Sequence, residues 1–117
     1  MNRIEMERIL LDMLNDSDGV SFVDIEDAFA LNAFDFKGTY LISTTIAEEK
    51  NIVFWGGWNK DACEVFYNAL QKSNANYIRT NYMLYYIDGK IMNIPIAKRI
   101  RKYKQMHWLP VVMGVRY

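Results

Sequence analysis

Residues 20–55 read VSFVDIEDAFALNAFDFKGTYLISTTIAEEKNIVFW, and the fold turns on how this stretch is parsed. Ser21 is placed to cap a helix, with Asp24 three residues on to bond back to it and Val20 able to staple against Ile25. Phe22, Ile25 and Phe29 fall at i, i+3 and i+7 while Asp24, Glu26 and Asp27 take the remaining positions, so the spacing predicts an amphipathic helix near 22–30. After a break at Leu31 to Asp35, two rows overlap: Thr39, Ile42 and Ile46 with Phe36, Tyr40, Ser43 and Ala47. They predict a second helix over 36–50, although Gly38 costs it about 1 kcal/mol of propensity relative to alanine. Asn51 supplies a left-handed stop, and Ile52, Val53 and Phe54 turn the pattern to strand.

Upstream, Asn2 and Glu5 mark a capping box, and Met6, Ile9, Leu10, Met13 and Leu14 repeat at i, i+3, i+4, i+7 and i+8. This predicts a helix near 3–15 that ends in the turn-forming run NDSDG. A helix, then two helices on a tight connection, then a strand is the element order of winged helix-turn-helix domains. Residues 3–55 resemble that superfamily in this order and in the passage AEEKNIVF, where a charged helix end runs into an apolar strand. The resemblance is one of pattern and points to no subfamily. It implies that the second helix of the motif enters the major groove, which makes Lys37 and Thr44 secondary nucleic-acid candidates. Glu48 and Glu49 on the same helix carry the wrong sign for phosphates, so the main electrostatic contact is expected elsewhere.

Downstream, Trp55 and Trp58 flank the Gly56-Gly57 pair, either as core anchors or as a stacking platform for a base. Asp61 and Glu64 mark a helix near 60–72, along which Ala62, Val65, Phe66, Ala69 and Leu70 form the apolar stripe and Cys63 falls beside it. From Tyr77 the texture changes to strand. YMLYYI, then Asp88-Gly89, then KIMNI predicts a hairpin over 82–94 with a two-residue turn. Both faces of that hairpin carry large apolar groups, so it is expected to pack into the body or a partner. Lys98, Arg99, Arg101, Lys102 and Lys104 then place five positive charges within seven residues, with Tyr103 among them and Trp108 close behind. Such a cluster can track a phosphate backbone, with the two aromatics available for stacking. Trp108 to Val112 reads as a last strand, placed at an edge or start by Pro110.

With 117 residues, 51% apolar and 24% charged, the chain is expected to form one globular α+β domain over 1–117. Its winged-helix-like half spans 1–55, and 56–117 adds a helix, the hairpin of a small antiparallel sheet, the basic segment and the last strand. The N-terminal MNRIEMER lacks the apolar core of a secretory signal and no run is long enough to cross a bilayer, which makes the cytoplasm the expected location and excludes a membrane partner. One cysteine and one histidine, His107, exclude an internal disulfide and argue against a zinc site. With no glycine-rich phosphate loop and no nucleophile elbow either, neither an enzyme nor a cofactor is expected.

The formal net charge of zero is segregated. Residues 1–50 hold eleven acidic and four basic side chains, a net of −7, and residues 51–117 hold three acidic and ten basic, a net of +7. Two readings follow. In the first, the chain is a small non-enzymatic regulator or accessory protein that binds DNA or RNA through Lys98, Arg99, Arg101, Lys102, Tyr103, Lys104 and Trp108. In the second, it is a protein-interaction module, an inhibitor or adaptor in the style of phages and mobile elements, that offers Asp24, Glu26, Asp27, Glu48 and Glu49 to a basic protein. The opposed halves and the apolar hairpin also point to a homo-oligomer.

Overall fold

The computed structural model describes residues 2–115. The order of elements is α1 (Arg3–Asp16), α2 (Phe22–Leu31), β1 (Lys37–Ile42), α3 (Thr45–Glu49), β2 (Ile52–Val53), β3 (Trp55–Trp58), α4 (Lys60–Lys72), β4 (Asn76–Arg79), α5 (Met83–Ile87), β5 (His107–Trp108) and β6 (Val111–Gly114). The fold is α+β.

Three helices form where local chemistry asks for them. The Asn2 side chain accepts from the Glu5 N–H at 2.8 Å and opens α1, whose Met6, Leu10 and Leu14 are buried. Ser21 and Asp24 close a full capping box on α2, at 3.0 Å in each direction. The cap of α4 is Asn59, which accepts from the Ala62 N–H at 2.8 Å, so Asp61 serves in the first turn and not as the cap. α1 and α4 pack side by side and run the same way: Arg3 reaches Glu64 at 2.6 Å near both starts, and the Asn74 N–H donates to Asn15 Oδ1 at 2.9 Å near both ends. Cys63 is buried in this layer, and burial, with Glu64 beside it, pushes the thiol up from its ordinary range.

The stretch 36–50 is not one helix. Its first half is strand β1, antiparallel to β3 with Ile42 opposite Trp55 and Leu41 opposite Gly56, and only Thr45–Glu49 is helical. Thr39, Tyr40, Leu41 and Ile42 are strand-favouring residues that gain a partner from beyond the next helix. Gly38 lets the backbones touch, since a Cβ there would lie 2.6 Å from the Asn59 Cα. The second helix of the helix-turn-helix pattern is therefore replaced by a strand and a turn and a half of helix. Asn51 does take the left-handed conformation, at φ 58°, after α3.

The hairpin over 82–94 is also absent. Met83–Ile87 is helical, and Gly89, at φ 75°, terminates that helix by donating its N–H to the Tyr86 carbonyl at 3.0 Å. Asp-Gly suits a hairpin turn and a helix stop alike, because both need a positive φ at the glycine. Tyr85 decides between them. Its ring lies in the core 5.0 Å from Trp55, its hydroxyl donates to the Val111 carbonyl at 2.6 Å, and the hydroxyl oxygen accepts from the Phe22 N–H at 3.1 Å. The antiparallel pair in this half is instead β4 with β6, Asn76 opposite Gly114 through Arg79 opposite Val111. The expected strand at 108–112 is split, since β5 pairs in parallel with β2 before Leu109 and Pro110 lead into β6.

The core is aromatic. Phe22 stacks on Trp55 and meets Trp58 and Phe66, and Trp108 closes against Trp55 and Tyr85. Trp55 and Trp58 are both buried, which removes the stacking platform and leaves two indole N–H donors to satisfy. Glu26 accepts both on Oε2 at 2.8 Å, while its Oε1 meets Lys90 Nζ at 2.9 Å. Glu26 is 7% exposed, so this member of the proposed acidic protein-binding set is an internal tie.

Candidate nucleic-acid interface

The basic segment is an irregular loop between Ala97 and β5. Its ends are fixed by backbone pairing: the buried Ala97 donates to the Trp108 carbonyl at 2.7 Å, and His107 donates to the Asn51 carbonyl at 2.8 Å. Its middle is held by Asn51 and Lys50, which the end of α3 delivers. Asn51 Nδ2 donates to the Tyr103 carbonyl at 2.7 Å, and the Tyr103 N–H donates to the Lys50 carbonyl at 3.0 Å. Tyr103 ties the loop to itself, with its hydroxyl donating to the Arg99 carbonyl at 2.7 Å and accepting from the Arg99 N–H at 3.3 Å. From β4, Arg79 donates to the Lys98 carbonyl at 3.1 Å.

These ties turn the backbone inward and the cations outward. Lys98, Arg99, Arg101, Lys102 and Lys104 are all exposed. The ion pairs among the described residues use Arg3, Lys60, Lys72 and Lys90, so none of the five meets a carboxylate within salt-bridge distance. Five like charges in seven residues repel one another, and the loop holds them close because its backbone is pinned elsewhere. Lys98, Arg99 and Arg101, with Ile96, Tyr103 and His107, line an open concavity of about 440 Å³ that carries no carboxylate among the described residues. His107 stacks on Tyr103 with ring centroids 3.8 Å apart, and the Arg101 guanidinium lies 4.7 Å from the Tyr103 ring centre. The Gln105 carbonyl is 2.8 Å from His107 Nδ1, and since a carbonyl only accepts, Nδ1 carries the proton there.

Two expected contacts change role. Trp108 is 1% exposed and its indole donates to the Phe54 carbonyl at 3.0 Å, so it is a core residue with no face to offer a base. Tyr103 is buried under His107 and scaffolds the loop in place of stacking from it. Lys37 is exposed at the start of β1, and Thr44 spends its hydroxyl on capping α3, accepting from the Ala47 N–H at 3.1 Å. Neither sits on a recognition helix. Asp24 and Asp27 are exposed on α2, and Glu48 and Glu49 on α3. Asp24 already bonds the Ser21 N–H at 3.0 Å, so one of its oxygens serves the cap.

Sequence reasoning missed Arg79, Lys50, Asn51 and His107 as parts of this site. Asn51 carried a signal, its left-handed stop, and from that conformation its side chain bonds the Tyr103 carbonyl. Arg79 lies nineteen residues from its partner Lys98 and carried none. Among the described residues no group of three or more His, Cys, Asp or Glu is placed to hold a metal ion, and no helix is long and apolar enough to cross a membrane. No family model matches the chain, and neither a curated protein nor a solved structure matches it.

Proposed function

We propose that the protein is a non-catalytic nucleic-acid-binding accessory factor that grips the phosphate backbone with the loop at 98–104. The observation that carries the reading is the set of five exposed cations without an ion-pair partner among the described residues, on a backbone held by Tyr103, Asn51 and Arg79. A loop already ordered loses little entropy on binding, and phosphates relieve the repulsion within the cluster while releasing counterions. With Trp108 and Tyr103 committed to packing, no aromatic of the segment adds base stacking, so binding is electrostatic and indifferent to sequence. The reading draws on this loop and not on the winged-helix resemblance.

Fluorescence anisotropy with short duplex and single-stranded DNA and RNA across a salt series tests it. Replacing Arg101 and Lys102 by alanine weakens binding to all sequences alike and lowers the salt slope by about 0.7 to 0.9 per lost phosphate contact. Replacing Lys37 and Thr44 by alanine has a smaller effect. If the second pair abolishes binding while the first changes nothing, the site lies elsewhere. If the wild-type protein binds neither DNA nor RNA at low salt, the interaction-module reading takes over, with Asp24, Asp27, Glu48 and Glu49 as its acidic contacts and Glu26 excluded by burial.

A further inference from the structure

The segment Tyr82–Ile87 contains no polar residue except the tyrosine hydroxyls, yet only one of its side chains is inside. Tyr85 is fully buried, and its two hydrogen bonds and contacts with Trp55 and Trp108 fix α5 to the body. The side chains around it, Tyr82, Met83, Leu84, Tyr86 and Ile87, with Ile91 just beyond, are between 39% and 79% exposed. A helix apolar all round is ordinarily buried all round. At roughly 200 Å² for a large side chain, these fractions leave at most about 600 Å² of mostly apolar surface on α5 and the residues flanking it, the upper end of what monomers tolerate.

We infer that this surface is the two-fold interface of a homodimer, in which α5 of one copy packs on α5 of another. Two such patches bury at most about 1,200 Å² together, the lower bound of a specific interface. The composition suits an interface core, since tyrosine and methionine are enriched there and charge is depleted. Tyr82–Ile87 itself carries no charge to be set against its own copy, and Asp24 and Asp88, which share a concavity with Leu84 and Ile87, fall at the rim of the contact. Lys90 keeps its bond to Glu26, being half-exposed. The surface is preorganised through Tyr85, so pairing costs little ordering.

Sedimentation velocity on the full chain, from millimolar to low micromolar protein and at low and high salt, tests this inference. The wild-type protein sediments as a dimer at the upper concentrations and does so equally at high salt, because the contact is apolar. Ile87→Asp, at the most exposed position of the patch, raises the dissociation constant at least about a hundredfold by placing two unpaired charges in the interface. Its circular dichroism and melting temperature stay those of the wild-type monomer. Tyr86→Lys, on the neighbouring exposed position, does the same and guards against a local failure of Ile87→Asp to fold. A wild-type protein that is monomeric throughout overturns the inference. So does a dimer that survives both substitutions, and so does one that dissolves at high salt, which would belong to the oppositely charged halves and not to α5.

Discussion

Replacing Glu26 by alanine withdraws the acceptor from two buried indoles and the counterion from Lys90 in one step. The two losses are not of equal size. Trp55 and Trp58 are buried, and no acceptor other than Glu26 Oε2 is bonded to either Nε1 among the described residues. A hydrogen bond to a charged group contributes about 1.5 to 3 kcal/mol, and leaving its buried donor unmet incurs a similar desolvation penalty. The Lys90 side chain is 45% exposed, so that pair is screened and contributes at most about 1 kcal/mol. Burying the carboxylate offsets part of this gain. The net expectation for Glu26→Ala is a loss of about 3 to 5 kcal/mol, a large share of the roughly 5 to 15 kcal/mol of a small domain. Lys90→Met should lose about 1 kcal/mol or less. Glu26→Gln, which keeps an oxygen for the indoles but turns an amide toward Lys90, should fall between them. Urea unfolding followed by tryptophan fluorescence measures all three, and a double-mutant cycle isolates the ion pair. A loss below about 1 kcal/mol for Glu26→Ala, or a cycle in which Lys90 accounts for most of it, would refute the assignment of Glu26 as the tie between the two indoles.

Gly38→Ala separates a helix from a strand at residues 36–42: on a helix it would stabilise by about 1 kcal/mol, whereas here it sets a Cβ against the Asn59 backbone and the melting temperature falls. Gly114→Ala should be at least as damaging, because the added Cβ collides with the Asp18 backbone, and chemical denaturation measures it. Burial holds the phenols of Tyr77 and Tyr85 well above the ordinary tyrosine value of 10.0. Since their folded-state values are raised, that contribution is whole below pH 10 and is lost as pH rises past it, when the unfolded chain ionises and the folded one does not. Stability should therefore fall above pH 10 by up to about 1.4 kcal/mol per pH unit for each group, and tyrosinate absorbance should show both phenols ionising only on unfolding.

What the residues determined by themselves is confined to elements whose interactions are local. Ser21 with Asp24, and Asn2 with Glu5, are neighbours in sequence and in space, so the starts of α1 and α2 could be read directly, as could the buried stripes of α1 and α4. The basic run at 98–104 is equally plain in the sequence, but its lack of ion pairs among the described residues is not, because every candidate carboxylate had to be located first. The strand β1 was hidden because its partner, Trp55–Trp58, lies beyond α3 and periodicity within 36–50 carries no information about it. Gly89 fits a hairpin and a helix stop with the same positive φ, and only the burial of Tyr85 against Val111 selects the helix. Glu26 looked like one more solvated carboxylate on α2 until two indoles from β3 met it. Capping and i, i+4 packing act within a turn or two of chain, whereas strand pairing and the satisfaction of a buried polar group depend on what arrives from elsewhere in the fold.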